Sequence, residues 1–191
     1  KKGSYGHLYS RIRELKKTHD VDILFLGSSH TYRGFDPRIF ARHGFHTFNL
    51  GSSSQSPIQT EILLKRYLDK LNPGLVIYEV CPSTFSTDGI ESALDIIAND
   101  TIDRLVFDMA LELNHVKVYN TLSYALYRDF FNRDKDFVEA INKEEDTYIT
   151  GGYVEREMAF FRHIPQDSSP WSLNPAQMQA FDRVINQRKL R

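Results

Sequence analysis

Cysteine is almost missing from this sequence: Cys81 is the only one in 191 residues. An internal disulfide and a Cys-rich zinc site are thereby excluded, although a lone cysteine does not fix the compartment. An excess of charge is missing too. The 24 basic and 25 acidic residues leave a formal charge of −1, whereas a dedicated nucleic-acid binder carries a clear basic excess. No apolar run reaches membrane-spanning length, and no secretory signal is present. The chain opens at Lys1-Lys2-Gly3 without a methionine, so a trimmed start with a signal or membrane anchor upstream is expected. His-Glu-x-x-His, paired-Cys, EF-hand, Walker and Gly-x-Gly-x-x-Gly patterns are all absent, so no metal or nucleotide cofactor is expected.

What is present is a globular composition, with 41% apolar and 13% aromatic residues and length for a single domain over 1–191. Leu8, Ile12 and Leu15 mark an amphipathic helix over 5–18. The run VDILFL (21–26) is of strand length. Asp36-Pro37 then opens a short helix that stops near Gly44. FHTFNL (45–50) reads as a second strand, and Ser56-Pro57-Ile58-Gln59 is a capping-box helix start with proline at the first position. That helix buries Ile58, Ile62, Leu63 and Tyr67 and ends at Asn72-Pro73-Gly74. LVIYEV (75–80) is a third strand. Helical stripes fill 89–131, the charged residues 132–152 read as a mobile surface segment, and 132–170 is a candidate lid. Asn174-Pro175 starts a last helix.

Alternation of strand and helix predicts parallel strands in an α/β domain, three-layer α/β/α, with VDILFL central. No strand follows the last helix, so the sheet is expected to keep an open edge beside the third strand, and the chain to be truncated at its C-terminus. Sites in such sheets lie beyond the carboxyl ends of the strands. There the sequence places Gly27-Ser28-Ser29-His30, then Gly51-Ser52-Ser53, then Glu79 with Cys81-Pro82-Ser83. Glycine and serine are common turn residues, so one such loop carries no function. Three on one rim would form a site.

A serine on a tight turn after a buried strand can present its oxygen as a nucleophile and its N–H to a developing oxyanion. A glycine from the neighbouring strand adds a second N–H. His30 adjoins Ser29, where a structural hydrogen bond or a substrate contact is expected rather than the role of base. Arg33 either binds an anionic or sugar substrate or pairs with Asp36 or Glu79. Glu79, in an apolar strand, needs a partner, and pairing with Arg33 is expected. His163 is the only histidine late in the chain and the one candidate base there.

Gly27-Ser28-Ser29 and Asn49-Leu50-Gly51, in this order on alternating strands, resemble the first two blocks of the SGNH, or GDSL-type, hydrolases. The resemblance covers roughly 20–85. It implies a flavodoxin-like three-layer fold, Ser29 as nucleophile, and an oxyanion hole from the N–H groups of Ser29 and Gly51. Strand ends in register put Ser83 where the family has its oxyanion-hole asparagine. The Gly-x-Asn-Asp block is not kept, and none of the seven histidines has an aspartate three residues before it. The Gly-Ser-Ser start is similar to the cell-envelope O-acyltransferase-like branch. It implies a serine esterase or O-acyltransferase acting on a small ester or an acylated glycan, in an extracytoplasmic setting, with Ser28, His30, Arg33, Asn49 and Glu79 as support and the base supplied beyond Arg191. A non-catalytic glycan- or partner-binding module is the alternative. The oligomeric state is left open.

Overall fold

Leu8, Ile12 and Leu15 recur at helical spacing, and in the computed structural model they form the buried face of α1 (Leu8–Leu15). The structure describes residues 2–3, 6–134, 136–157 and 172–187. After α1 come β1 (Ile23–Leu26), α2 (Ser29–Gly34), α3 (Pro37–Ala41), β2 (Thr47–Asn49), α4 (Pro57–Leu71) and β3 (Leu75–Tyr78). Next are α5 (Pro82–Ser86), α6 (Ile90–Asn99), α7 (Arg104–Leu113) and α8 (Val116–Phe130). Strands β4 (Asn142–Lys143), β5 (Asp146–Ile149) and β6 (Tyr153–Arg156) precede α9 (Pro175–Ile185).

The fold is mixed α/β around a three-stranded parallel sheet of order β2-β1-β3, with VDILFL at its centre as expected. Ile23 lies opposite Thr47 on one side and opposite Leu75 on the other. All four β1 residues are buried. Alternation sends Leu24 and Leu26 into the main core with Leu8, Ile12, Leu63 and Ile96. Phe25 points the other way, where its ring stacks on Phe35 at 4.3 Å and meets Phe40 at 5.1 Å. The helix signals act as read. Gln59 Oε1 accepts the Ser56 N–H at the start of α4, and Asn72 ends it in the left-handed region. Asp36 caps α3 and Asn174 caps α9. Among the described residues β3 has no strand on its outer side, and Leu75 there is 52% exposed. No described helix is long and apolar enough to cross a membrane.

The stretch 132–152 departs from the expected mobile surface segment. Within it begins a second, antiparallel sheet, β4-β5-β6, with Ile149 opposite Tyr153 across a tight turn. The turn glycines Gly151 and Gly152 are buried, and the Asn49 N–H donates to the Gly151 carbonyl at 2.8 Å. Charge here means pairing rather than solvation. Glu139 accepts the Ser10 N–H and hydroxyl at 2.7 Å each. Glu14 of α1 accepts the Gly151 N–H at 2.7 Å and the Tyr148 hydroxyl at 2.6 Å. The remainder of the candidate lid, 158–170, lies outside the described residues.

One carboxyl is poorly matched to its surroundings. On α6, Asp95 Oδ1 accepts a hydrogen bond from the Asn99 amide at 2.8 Å, while Oδ2 has no partner among the described residues. Burial pushes its pKa up from 3.8 to about 7, against the opposing pull of the nearby Arg11 charge. The folded chain therefore keeps a proton that the unfolded chain releases, so stability falls as pH rises from about 4 to 7. Asp95→Asn is expected to flatten that slope and to raise stability at pH 8 by roughly 2 kcal/mol, as urea unfolding at pH 4.5 and pH 8 would measure. Parallel pH profiles for the two proteins would refute the assignment.

Candidate active site

The three parallel strands deliver their ends to one place. At the end of β1 the chain turns at Gly27, whose φ of +142° is glycine territory. A Cβ there would lie 2.4 Å from Thr31 Oγ1 and 2.6 Å from Glu79 Oε2. After β2, Gly51 packs so closely that a Cβ would lie 2.8 Å from the Gly27 carbonyl oxygen and 2.9 Å from that of Ser28. Immediately after β3, Glu79 reaches across to the turn after β1. The rim inferred from the sequence is a real assembly.

Ser28 and Ser29, adjacent in sequence, sit in different environments. Ser28 caps α2 and is 3% exposed. Its N–H and its hydroxyl both donate to Glu79 Oε2, at 2.7 and 2.8 Å. Ser29 is the first residue of α2 and half-buried, and its hydroxyl makes no hydrogen bond to any described residue. Its backbone N–H is likewise unpaired among the described residues, and so is the buried N–H of Gly51. The Ser29 N–H is open as at any helix start, whereas a buried N–H such as that of Gly51 is nearly always paired, so an open one on the loop packed against the Ser28 turn is the unusual feature.

His30 does not approach Ser29 as a hydrogen-bond partner. Its Nδ1 lies 3.0 Å from Ser28 Oγ and 3.5 Å from Glu79 Oε1, with the side chain 71% exposed. The expected Arg33–Glu79 pair is not formed. Arg33 instead grips Asp146 of β5 with two bonds, at 2.8 and 2.7 Å, and Asp36 is taken by Arg38. That pairing raises the Arg33 pKa and holds the Asp146 carboxyl below its ordinary value. The physical reason is proximity that sequence spacing conceals: the β5–β6 hairpin folds back with β6 against α2, which brings Asp146 to Arg33 from 113 residues later. Glu79 thus serves the Ser28 turn and His30.

Asn49 is fully buried and structural in its contacts. Its amide donates to the Phe35 carbonyl at 2.9 Å, while its Oδ1 has no partner among the described residues. Ser83, exposed on α5, has its hydroxyl 3.1 Å from Cys81 Sγ. His163 lies outside the described residues.

Two important side chains escaped the sequence reading. Arg11 of α1 is wholly buried, donating from Nε to the Gly152 carbonyl, from Nη1 to Gly51 and from Nη2 to Gly6, each at 2.9 Å. Its signal was an arginine on the stripe formed by Leu8, Ile12 and Leu15. The other is Cys81, which joins His30 and Glu79; the strand order brings its loop beside His30, but as a strand-end residue it carried no functional reading of its own. Comparison with known proteins yields no matching family model, no matching characterised sequence and no matching solved structure.

Proposed function

We propose that the chain is an SGNH-type serine esterase or O-acyltransferase built on a three-layer α/β/α scaffold, with Ser29 as nucleophile. The observation that carries this reading is the free Ser29 hydroxyl and unpaired Ser29 N–H on the turn after β1, with the unpaired N–H of Gly51 on the neighbouring loop after β2, which packs against the Gly27 and Ser28 carbonyls. Ser29 Oγ attacks the acyl carbonyl, its proton passes to a base, and the two N–H groups stabilise the oxyanion. Collapse of the tetrahedral adduct breaks the ester C–O bond and expels the alcohol with a proton. Water or an acceptor hydroxyl then takes the acyl group from Ser29. Glu79 positions the turn by fixing Ser28. The base comes from outside the described residues, where His163 remains the candidate. A small ester or an acylated cell-envelope glycan, met outside the cytoplasm, is the substrate class of this proposal.

A second reading, a non-catalytic glycan-binding rim, draws on one observation: no described residue accepts a hydrogen bond from the Ser29 hydroxyl. Fluorophosphonate labelling separates the two. The serine reading expects wild type and Ser28→Ala to be labelled, with the adduct on Ser29 by peptide mapping, and Ser29→Ala to lose at least 90% of the signal, roughly the order expected for removal of a nucleophile. Equal labelling of wild type and Ser29→Ala would sink it. No labelling, together with retained binding of an O-acetylated glycan, would establish the binding module.

A further inference from the structure

Three donors of different chemistry converge beside the Ser28 turn. A ring nitrogen of His30, a carboxylate oxygen of Glu79 and Cys81 Sγ all lie within 4.8 Å of one another. They come from two segments: His30 from the first turn of α2, and Glu79 and Cys81 from the three-residue link between β3 and α5. We propose that these three side chains form a binding site for a thiophilic divalent cation of the zinc class. The proposal is independent of the role given to Ser29.

The distances suit a tetrahedral ion. With metal–nitrogen and metal–oxygen bonds near 2.1 Å and a metal–sulfur bond near 2.3 Å, ligand atoms sit ~3.4–3.7 Å apart. His30 Nδ1 and Glu79 Oε1 already stand at 3.5 Å. Cys81 Sγ lies within 4.8 Å of both, and rotation of this half-buried side chain away from the Ser83 hydroxyl would bring the sulfur to bonding distance.

The charges and the surroundings fit as well. A thiolate and a carboxylate with a neutral imidazole carry two negative charges, matching a dication. Sulfur and imidazole nitrogen favour zinc-class ions over magnesium or calcium, which take oxygen cages. Glu79 is already oriented from behind, because Ser28 binds Oε2 through both its N–H and its hydroxyl and leaves Oε1 turned to His30. Such outer contacts on a ligating carboxylate are what hold a metal site in shape. The His30 side chain is 71% exposed and Cys81 borders an open hollow with Pro82, Ser83, Ser86 and Thr87, so a fourth ligand could reach the ion from solvent. Three protein ligands with one exchangeable position is the pattern of reactive rather than purely structural zinc sites. The sequence could not show it, because Glu79-Val80-Cys81 is not a zinc motif on its own and His30 stands far earlier in the chain, brought near only by the parallel pairing of β1 and β3.

Cobalt(II) titration of chelator-treated full-length protein tests the proposal. One equivalent should bind with a thiolate-to-cobalt charge-transfer band in the near ultraviolet, and Zn²⁺ should displace it while Mg²⁺ does not. Cys81→Ser should abolish the band, and His30→Ala, an exposed side chain whose loss leaves the fold intact, should weaken Zn²⁺ binding at least 10-fold. Ser29→Ala should leave both unchanged, which keeps this result separate from the fluorophosphonate result. Absence of the band overturns the site. So does a band that survives His30→Ala at full affinity, which would mark a thiolate binding the ion alone. Zn²⁺ binding indifferent to both substitutions would mean an adventitious ion only and would also overturn it.

Discussion

Arg11→Ala is expected to cost about 4 kcal/mol of folding stability, the largest loss of any single substitution considered for this chain. The guanidinium is wholly buried over the Tyr32 ring, with its carbon 4.3 Å from the ring centre. Desolvation pulls its pKa down, yet an arginine does not release its proton at accessible pH. The buried charge is therefore met by dipoles: the carbonyls of Gly6, Gly51 and Gly152 each accept one N–H at 2.9 Å. Alanine would leave three acceptors unpaired and a cavity as long as the lost side chain. Arg11→Met tests the polar share, since it keeps most of the packing and should still lose roughly 2–3 kcal/mol. Arg11→Lys should not rescue, because one ammonium cannot span three carbonyls at fork geometry. Urea unfolding of the three variants supplies the measurement. A loss below 1 kcal/mol for alanine would show the guanidinium to be a bystander.

Gly27→Ala comes next, with an expected loss of about 3 kcal/mol and of the candidate site together. Strain and collision act at once here. The φ of +142° disfavours any Cβ, and the new methyl would sit 2.6 Å from Glu79 Oε2 and 2.7 Å from Glu79 Cβ. Glu79 would have to retreat from Ser28, so labelling of Ser29 should fall even at temperatures where the variant remains folded. Gly34→Ala is the matched control. A Cβ at Gly34 meets nothing within 4 Å, so its stability should stay within ~0.5 kcal/mol of wild type. Equal stability of the two alanine variants would show that the turn after β1 tolerates a side chain.

Those two glycines and Arg11 also show which parts of the molecule could be read in advance. The parallel sheet was legible because each strand is a compact apolar run and each intervening helix carries its own caps, as Ser56, Asp36 and Asn72 do. The rim was legible for the same reason: in a parallel sheet, strand ends that are neighbours in order become neighbours in space. The second sheet was not read, although Thr147-Tyr148-Ile149 and Tyr153-Val154 flanking Gly151-Gly152 is a hairpin pattern. Its acidic and basic residues suggested solvent, whereas Asp146 is held by Arg33. Arg33 was placed with the wrong carboxylate because spacing carries no information about a partner 113 residues away. Arg11 shares the face of Leu8, Ile12 and Leu15, and a single arginine on an apolar stripe does not reveal whether it is buried or reaches solvent.

The Arg11 contacts carry a consequence for how the chain reaches its native state. The three carbonyls it serves lie 5, 40 and 141 positions away in sequence. Until the last of them arrives, docking α1 would strand part of a positive charge in a dry interior, so the helix gains little by settling early. Its seating and the closure of the β5–β6 hairpin are therefore expected to be coupled across 141 residues of sequence. The expected result is that α1 docks late although it is made early, because contacts of such long sequence separation are costly to close.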